Sequence, residues 1–528
     1  MNLRVRLATF LYFGLLSVTL TASAQQFQPV ETTIDKIHAA YKSGKLTSHE
    51  LVQDYLDRIK AYDQQGPALN CIISLNPNAL QEADKLDAAF KKSGFVGPLH
   101  GIPVVMKDQA DAAGMPTTLG SVLFKNYRPP DSFVAARLRK AGAIILGKTT
   151  LGEFGAGDAL GSELFGDTHN PYDLERTVGG SSGGNGACLA ASFATVGVGE
   201  EGVASIRRPS TWNGLVGMRP TSGLVSRTGM FHGWPDTVQT LGPMARTVTD
   251  LAELLDVMVG YDPEDPLTAM AVGHIPRTYT ASLDKNGLKG ARIGILRQPF
   301  GDTPDPDGED NKKVDVVFEK NIAELKAAGA VIIDPVAIPN LKEALAKRSD
   351  KMTIDDETQR VWLAHNPNSP FQSPEDVAAS PDYSKLPPGK ASEWKKPKEA
   401  TAETYAAFNQ YLKTREDLEI SFLKVMADNR LDAFVYKSIE YQPPLIKDEL
   451  TPKFRSPGRV PSLNTFLGYV SAMTVPSGFT SDDLPVGITF LGRPYAEPTL
   501  LKLAYAYEQA THHRKPPKTT PPLPSISH

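Results

Sequence analysis

The segment Val178-Gly179-Gly180-Ser181-Ser182-Gly183-Gly184 constrains this chain more than any other stretch. Four glycines around two serines let backbone amides and hydroxyls converge on one point, the geometry of an anion cradle or a held nucleophile. A flexible Gly/Ser linker shares that composition. A linker, however, does not run directly into an apolar helix, and this segment does so at Ala187 to Ala191. The loop therefore reads as a built element that opens a helix from Gly183 to Ser192 and leads into a strand at Phe193 to Val198.

The same alternation extends along the chain. Glu31 to about Gly66 carries two amphipathic helices, the second behind a capping box, Thr47-Ser48-His49-Glu50. Strands are expected at Cys71 to Leu75, Ile102 to Met106, Ala143 to Leu146, Ala291 to Leu296 and Val486 to Leu491. Helices are expected at Asn78 to Lys92, Asp131 to Ala141 and Glu497 to Thr511. Repeated strand and helix imply a layered α/β fold. Between about 365 and 398 the composition shifts to Pro, Ser, Lys and Asp, which reads as a surface excursion that could rim a site. Residues 516–528 form a Pro-rich tail, and no internal repeat is present.

Composition narrows the function classes. With 528 residues, 41% apolar and 22% charged, the chain can bury a large core. A net charge of −4 provides no basic field for a phosphate backbone, so nucleic acid is not an expected partner. The two cysteines, Cys71 and Cys188, offer neither a disulfide framework nor a Cys-based metal site, and their dissimilar contexts predict that they stay unbridged. No His, Asp and Glu cluster has ligand spacing, so no metal is expected.

At the N-terminus, Arg4 and Arg6 precede an apolar run from Leu7 to Leu20 and the small-residue site Ala22-Ser23-Ala24. This is the pattern of a secretory signal peptide over residues 1–24. A membrane anchor would need about 20 apolar residues and no small-residue exit. The mature chain, from Gln25, is expected to be exported, periplasmic or secreted, with no stable membrane insertion after cleavage.

Two short motifs raise competing chemistries. Gly180, Ser182 and Gly184 satisfy Gly-x-Ser-x-Gly, the elbow of α/β-hydrolases, with His232, His274 or His365 as conceivable bases. That elbow needs a strand before it, and Asn170 to Arg176 reads instead as a turn and polar stretch. Gly197-Val198-Gly199-Glu200-Glu201-Gly202 matches Gly-x-Gly-x-x-Gly after a strand. Arg208-Pro209 then falls where a phosphate-binding helix should run, and no carboxylate follows at dinucleotide spacing.

Several motifs taken together resemble the amidase signature family in order and spacing. They are Gly101-Ile102-Pro103-Val104-Val105-Met106-Lys107-Asp108, the Val178 to Gly184 loop, Ser205-Ile206-Arg207, and Asn213 to Arg227. The likeness continues through Leu241 to Val248 and Leu484 to Ile488, spanning roughly Glu31 to Lys515, and looks closest to bacterial peptide amidases. It implies one amidase domain over 25–515, with a large mixed central sheet covered by helices. It also implies hydrolysis of a carboxylic or peptide amide C–N bond through an acyl-enzyme, without a cofactor.

Carried over by position, the resemblance makes Ser205 the nucleophile, Ser181 a bridging serine on a cis peptide bond, and Lys107 the base. Backbone amides of Gly202, Val203, Ala204 and Ser205 would surround the oxyanion. A lysine with a pKa of about 10.4 must be desolvated to act as base near neutrality, which the apolar approach Ile102 to Met106 suits. Arg207 is expected to pair with a carboxylate such as Glu201.

The chain departs from the family pattern where most members have Gly before the nucleophile and a Thr-Asp or Thr-Glu pair upstream. Here Ala204 and Val203 precede Ser205, and Glu200 replaces the threonine. Ala204 would be strained if its position required positive φ. That keeps open a member that binds a ligand without turnover. A component of an amidotransferase, handling ammonia for a partner, is a third reading, which the signal peptide opposes. The sequence specifies neither the amide nor an oligomeric state.

Overall fold

Local signals set the first elements of the computed structural model, which describes residues 27–155, 164–231, 238–298, 305, 307–347, 355–386, 400–448 and 467–524. The signal peptide, residues 387–398 of the excursion and the last residues of the tail lie outside this range. Thr33 caps α1 (Ile34–Lys42), and Thr47 with Glu50 closes the expected capping box on α2 (Ser48–Tyr62). Ile37, Leu51, Val52, Tyr55 and Ile59 then bury one face of this pair in the main core.

The next elements are β1 (Ile72–Leu75), α3 (Ala79–Ser93), β2 (Pro103–Lys107), α4 (Phe133–Lys140) and β3 (Ile144–Thr149). A two-stranded ribbon, β4 (His169–Asn170) and β5 (Asp173–Thr177), precedes α5 (Gly183–Ala190), β6 (Val196–Glu201) and α6 (Arg207–Trp212). There follow β7 (Val216–Arg219), β8 (Thr240–Ala245), α7 (Val248–Met258), β9 (Arg292–Leu296), α8 (Glu309–Ala327) and β10 (Val331–Val336). Short helices α9 (Leu341–Leu345), α10 (Asp355–His365) and α11 (Pro374–Ala378) lead to α12 (Ala402–Asp428). The chain closes on β11 (Ala433–Lys437), β12 (Ala472–Phe479), β13 (Pro485–Leu491) and α13 (Glu497–Thr511).

Eleven of the described strands make one sheet, ordered β1-β3-β2-β6-β8-β7-β12-β13-β11-β9-β10. Strands β3, β2 and β6 run parallel, as do β11, β9 and β10, while the strands between them pair antiparallel. This is the mixed α/β sheet that the resemblance implied. The parallel trio places the C-terminal ends of β2 and β6 side by side, where functional groups collect in open α/β sheets. Helix α5 is buried along its whole length, and its small residues let it sit tight against the β3 end. A Cβ on Gly184 would lie 2.5 Å from the Thr150 amide nitrogen.

The expectation for the cysteines is overturned. Cys71 and Cys188 form a disulfide with Cα atoms 6.0 Å apart, joining the residue before β1 to the middle of α5. The reason is packing at long range. The Thr150 amide donates to the Cys71 carbonyl at 2.9 Å and the Gly184 amide to the Thr150 carbonyl at 3.1 Å, so the edge of the sheet carries one cysteine to the other.

One smaller reading also changes. The polar stretch before the Gly/Ser loop contains the strand β5, because Thr177 donates its amide to the Pro444 carbonyl at 3.0 Å and Arg176 reaches the Pro443 carbonyl at 2.7 Å. The Pro-rich tail, as far as residue 524, lies on the body of the protein. Buried Arg58 donates to the carbonyls of Thr520 and Pro521 at 2.9 Å each. Among the described residues no helix is long and apolar enough to cross a membrane.

Candidate active site

Lys107 is delivered by β2, whose residues Pro103 to Lys107 are all buried. The parallel register pairs Val105 with Gly197 and Met106 with Val198, so the end of β2 lies beside Glu200 near the end of β6. Lys107 is 0% exposed, and its Nζ makes two contacts there: Glu200 Oε2 at 2.6 Å and Ser181 Oγ at 2.7 Å. Glu200 is 2% exposed.

The Gly/Ser loop brings Ser181 to that lysine. The Gly180–Ser181 peptide bond is cis, and Arg208 from α6 donates twice to the Gly180 carbonyl, at 3.0 and 2.6 Å. Ser182 staples the loop to its neighbours. Its amide donates to the Ser205 carbonyl at 3.0 Å, its hydroxyl to the Glu200 carbonyl at 3.1 Å, and it accepts from the Glu200 amide at 3.2 Å. Ser181 Oγ, fully buried, lies 2.9 Å from Ser205 Oγ. Ser205 is partly exposed, so the line Lys107, Ser181, Ser205 opens to solvent at its serine end.

Residues 202–205 form the turn between β6 and α6. None of residues 200–205 takes a positive φ, so Ala204 sits without the strain that a missing glycine would have caused. Glu201 organises this turn: one oxygen accepts the amides of Ile206 and Arg207, at 2.9 Å each, and the other accepts Arg207 Nε at 2.8 Å. Arg207, 1% exposed, also donates to Tyr436 Oη at 2.6 Å and to the Val203 carbonyl at 2.7 Å. Arg207 thus pairs with Glu201 as expected. With the carbonyl of Val203 tied down, the amides of Gly202, Val203, Ala204 and Ser205 donate to no acceptor among the described residues.

Burial dominates the electrostatics. Desolvation holds the Lys107 amine below the usual lysine range, and Glu200, with Glu201 behind it, pulls the other way. A second buried pair lies alongside, Lys148 Nζ to Asp108 Oδ1 at 3.0 Å, with both side chains 0% exposed. Burial raises the Asp108 carboxyl while Lys148 and the Thr118 hydroxyl oppose it.

An aromatic cluster is joined to this line through Gln109. Gln109, two residues beyond Lys107, donates to the Phe231 carbonyl at 2.9 Å and to Gln239 at 3.3 Å, and a Cβ on Gly202 would lie 3.3 Å from Gln239 Cγ. Phe231 packs edge-on against Trp362 with ring centroids 4.7 Å apart, and Phe124 against Phe371 at 5.4 Å. Trp362 lies on α10, and Phe371 and Val377 belong to the excursion, so its described part packs in one cluster with Phe231.

The other motifs lack what their chemistries need. Ser182 is 0% exposed and occupied by backbone, while His274 stacks on Tyr495 and His365 bonds the Val361 carbonyl; His232 lies outside the described residues. Strand β6 runs through the Gly-x-Gly-x-x-Gly match, where a Cβ on Gly199 would sit 2.8 Å from Met244 Sδ. Among the described residues no three His, Cys, Asp or Glu side chains converge as metal ligands would.

Comparison with known proteins gives concordant matches over nearly the whole length. The family model described as Amidase matches residues 50–501. A probable amidase of Arabidopsis thaliana is 32% identical, covering 93% of this chain and 92% of that protein. A component of the glutamyl-tRNA(Gln) amidotransferase of Geobacter is 33% identical, covering 92% and 99%. Among solved structures, the native peptide amidase of Stenotrophomonas maltophilia superposes with a TM-score of 0.79 at 34% identity, covering 93% of this chain and 99% of its own.

Proposed function

We propose that this chain, which belongs to the amidase family and hydrolyses amide C–N bonds, does so through an acyl-enzyme on Ser205. The observation that carries this reading is the hydrogen-bonded line of 2.7 and 2.9 Å from buried Lys107 through Ser181 to the partly exposed Ser205. When Lys107 is neutral, its Nζ accepts the Ser181 proton while Ser181 accepts that of Ser205, and Ser205 Oγ attacks the substrate carbonyl. The undonated amides of residues 202–205 face the developing oxyanion, each such donor contributing about 3 kcal/mol in comparable sites. Collapse breaks the C–N bond, with the proton returning along the same line to the leaving amine. Water, activated by the same relay, then releases the acid.

The substrate best supported is a peptide amide. The likeness to a peptide amidase extends over nearly all of both chains, and an aromatic cluster around Phe231 is joined to Gln109, two residues beyond Lys107. The test is to incubate the protein with an N-acylated peptide amide and follow ammonia and free acid together. Equimolar release, absent in Ser205→Ala, is expected. Tight binding of the amide without release would instead favour the ligand-binding reading, whose motive, strain at Ala204, the backbone removes.

We further propose that the mature enzyme works outside the cytoplasm. The Met1–Ala24 leader supports this, as does the Cys71–Cys188 disulfide, since such bonds persist in oxidising compartments. An amidotransferase role would place the chain in the cytoplasm. Expression of the full chain in a Gram-negative host should yield a periplasmic protein whose N-terminus is Gln25 and whose mass shows both cysteines oxidised. Full-length, reduced protein in the cytosolic fraction would refute export.

A further inference from the structure

Glu200 lies on the catalytic lysine, and the mechanism above does not use it. Where the family pattern carries threonine, this chain places a carboxylate 2.6 Å from Lys107 Nζ, with side chains 0% and 3% exposed. We propose that Glu200 is a positioning residue of the relay, aiming Lys107 Nζ at Ser181 and supplying the counter-charge when that nitrogen takes up the Ser205 proton. The proposal rests on the Ser205 reading above.

The surrounding charges single out this carboxylate. Glu201, its neighbour on β6, is committed to Arg207 of α6 at 2.8 Å. Asp108, the next residue after β2, is committed to Lys148 of β3 at 3.0 Å. Arg208 of α6 is turned to the Gly180 carbonyl, and the Gly/Ser loop contributes only hydroxyls. Glu200 is therefore the carboxylate in direct contact with Lys107 among the described residues. Its backbone is held by Ser182 on both sides, so the carboxylate has a fixed origin.

The step balances without another reactant. The Ser205 O–H bond breaks as the Oγ–carbonyl carbon bond forms, and the carbonyl π pair moves to oxygen. One proton passes to Ser181 and another from Ser181 to Lys107, which becomes an ammonium ion against the Glu200 carboxylate. The arrangement parallels the carboxylate that orients and balances the histidine of a Ser-His-Asp triad. It has an opposite effect on the resting enzyme, because an adjacent anion makes the lysine harder to deprotonate. Glu200 thus strengthens the base and moves its working range toward alkaline pH.

Two signs follow for removing the carboxylate, and a purely structural role would not produce both. The rate constant for fluorophosphonate labelling of Ser205, measured against pH, needs no knowledge of the natural substrate. In Glu200→Gln and Glu200→Thr, the alkaline plateau should fall by about tenfold or more, while the acidic limb moves down by about one pH unit or more. Glu200→Asp, which keeps the charge, should retain a limb nearer that of the parent, and circular dichroism on each variant monitors folding. A uniform loss at unchanged limb position in folded Glu200→Gln or Glu200→Thr would overturn the proposal, as would an unchanged profile in either. Labelling of Ser205→Ala would instead overturn the reading beneath it.

Discussion

Ser205→Ala is expected to lose about 10⁴-fold or more in kcat on any amide the protein turns over, with little change in stability. The hydroxyl is partly exposed and bonded within the relay to Ser181, so its removal leaves no buried charge unpaired. Lys107→Met should lose activity on a similar scale, because no other described side chain within reach of Ser181 can take its proton. It also leaves Glu200 buried without its cation, so a stability loss accompanies it. The decisive comparison is the double variant. Residues acting as one unit are strongly non-additive, so Ser205→Ala with Lys107→Met should be no slower than either alone. Activity of the wild type should rise with pH as the lysine, held below its usual range by burial, loses its proton. Steady-state kinetics on one peptide amide across pH measures all of these. Multiplicative losses in the double variant would mean that the two residues act independently.

Arg207→Met is expected to cost about 3–5 kcal/mol and to abolish activity, although Arg207 touches neither serine. Its guanidinium joins Glu201, Tyr436 and the Val203 carbonyl, all in the interior. Without it Glu201 is an unpaired buried charge, and the turn carrying the amides of residues 202–205 loses the anchor on its carbonyl. Adding Glu201→Gln to Arg207→Met removes the orphan charge and should restore much of the melting temperature. It should not restore kcat, since the Val203 carbonyl stays free. Thermal denaturation with kinetics on the two variants separates these effects. Recovery of both together would show that the turn needs no such anchor.

What the sequence made legible was local. The apolar run Ile102 to Met106 announces a buried strand with Lys107 at its end, the Thr47 to Glu50 pattern announces a capped helix, and the span Glu497 to Thr511 is the observed last helix. The Gly/Ser loop is legible for a related reason, since only small residues permit the approach of α5 to Thr150. What stayed hidden depends on sheet order. The contact of Glu200 with Lys107 arises from parallel pairing of β2 with β6, strands far apart in the chain. The disulfide joins residues 117 apart through the β1–β3 edge, which no motif encodes. Strand β5 has Leu174 as its one apolar residue, and its conformation comes from pairing with β4 and from the Pro443 and Pro444 carbonyls of a distant segment.

The substitutions near Ser205 illustrate the same division. Ala204 and Val203 read as departures that could impair the enzyme, because side-chain identity is all a sequence displays. The backbone there keeps negative φ, and its amides donate to no acceptor among the described residues, so the departures leave neither strain nor a blocked amide at the turn. Glu200 read as a simple replacement of threonine, yet it contacts Lys107, the lysine of the proposed relay.

The most direct test of the central claim is the intact mass of the mature protein after reaction with a fluorophosphonate, run beside Ser205→Ala and Lys107→Met. The relay from Lys107 through Ser181 predicts a single adduct on the wild type, mapped to Ser205 and forming faster as pH rises, with none on Ser205→Ala and a much slower one on Lys107→Met. An adduct on Ser205→Ala, or equal rates for wild type and Lys107→Met, would contradict it.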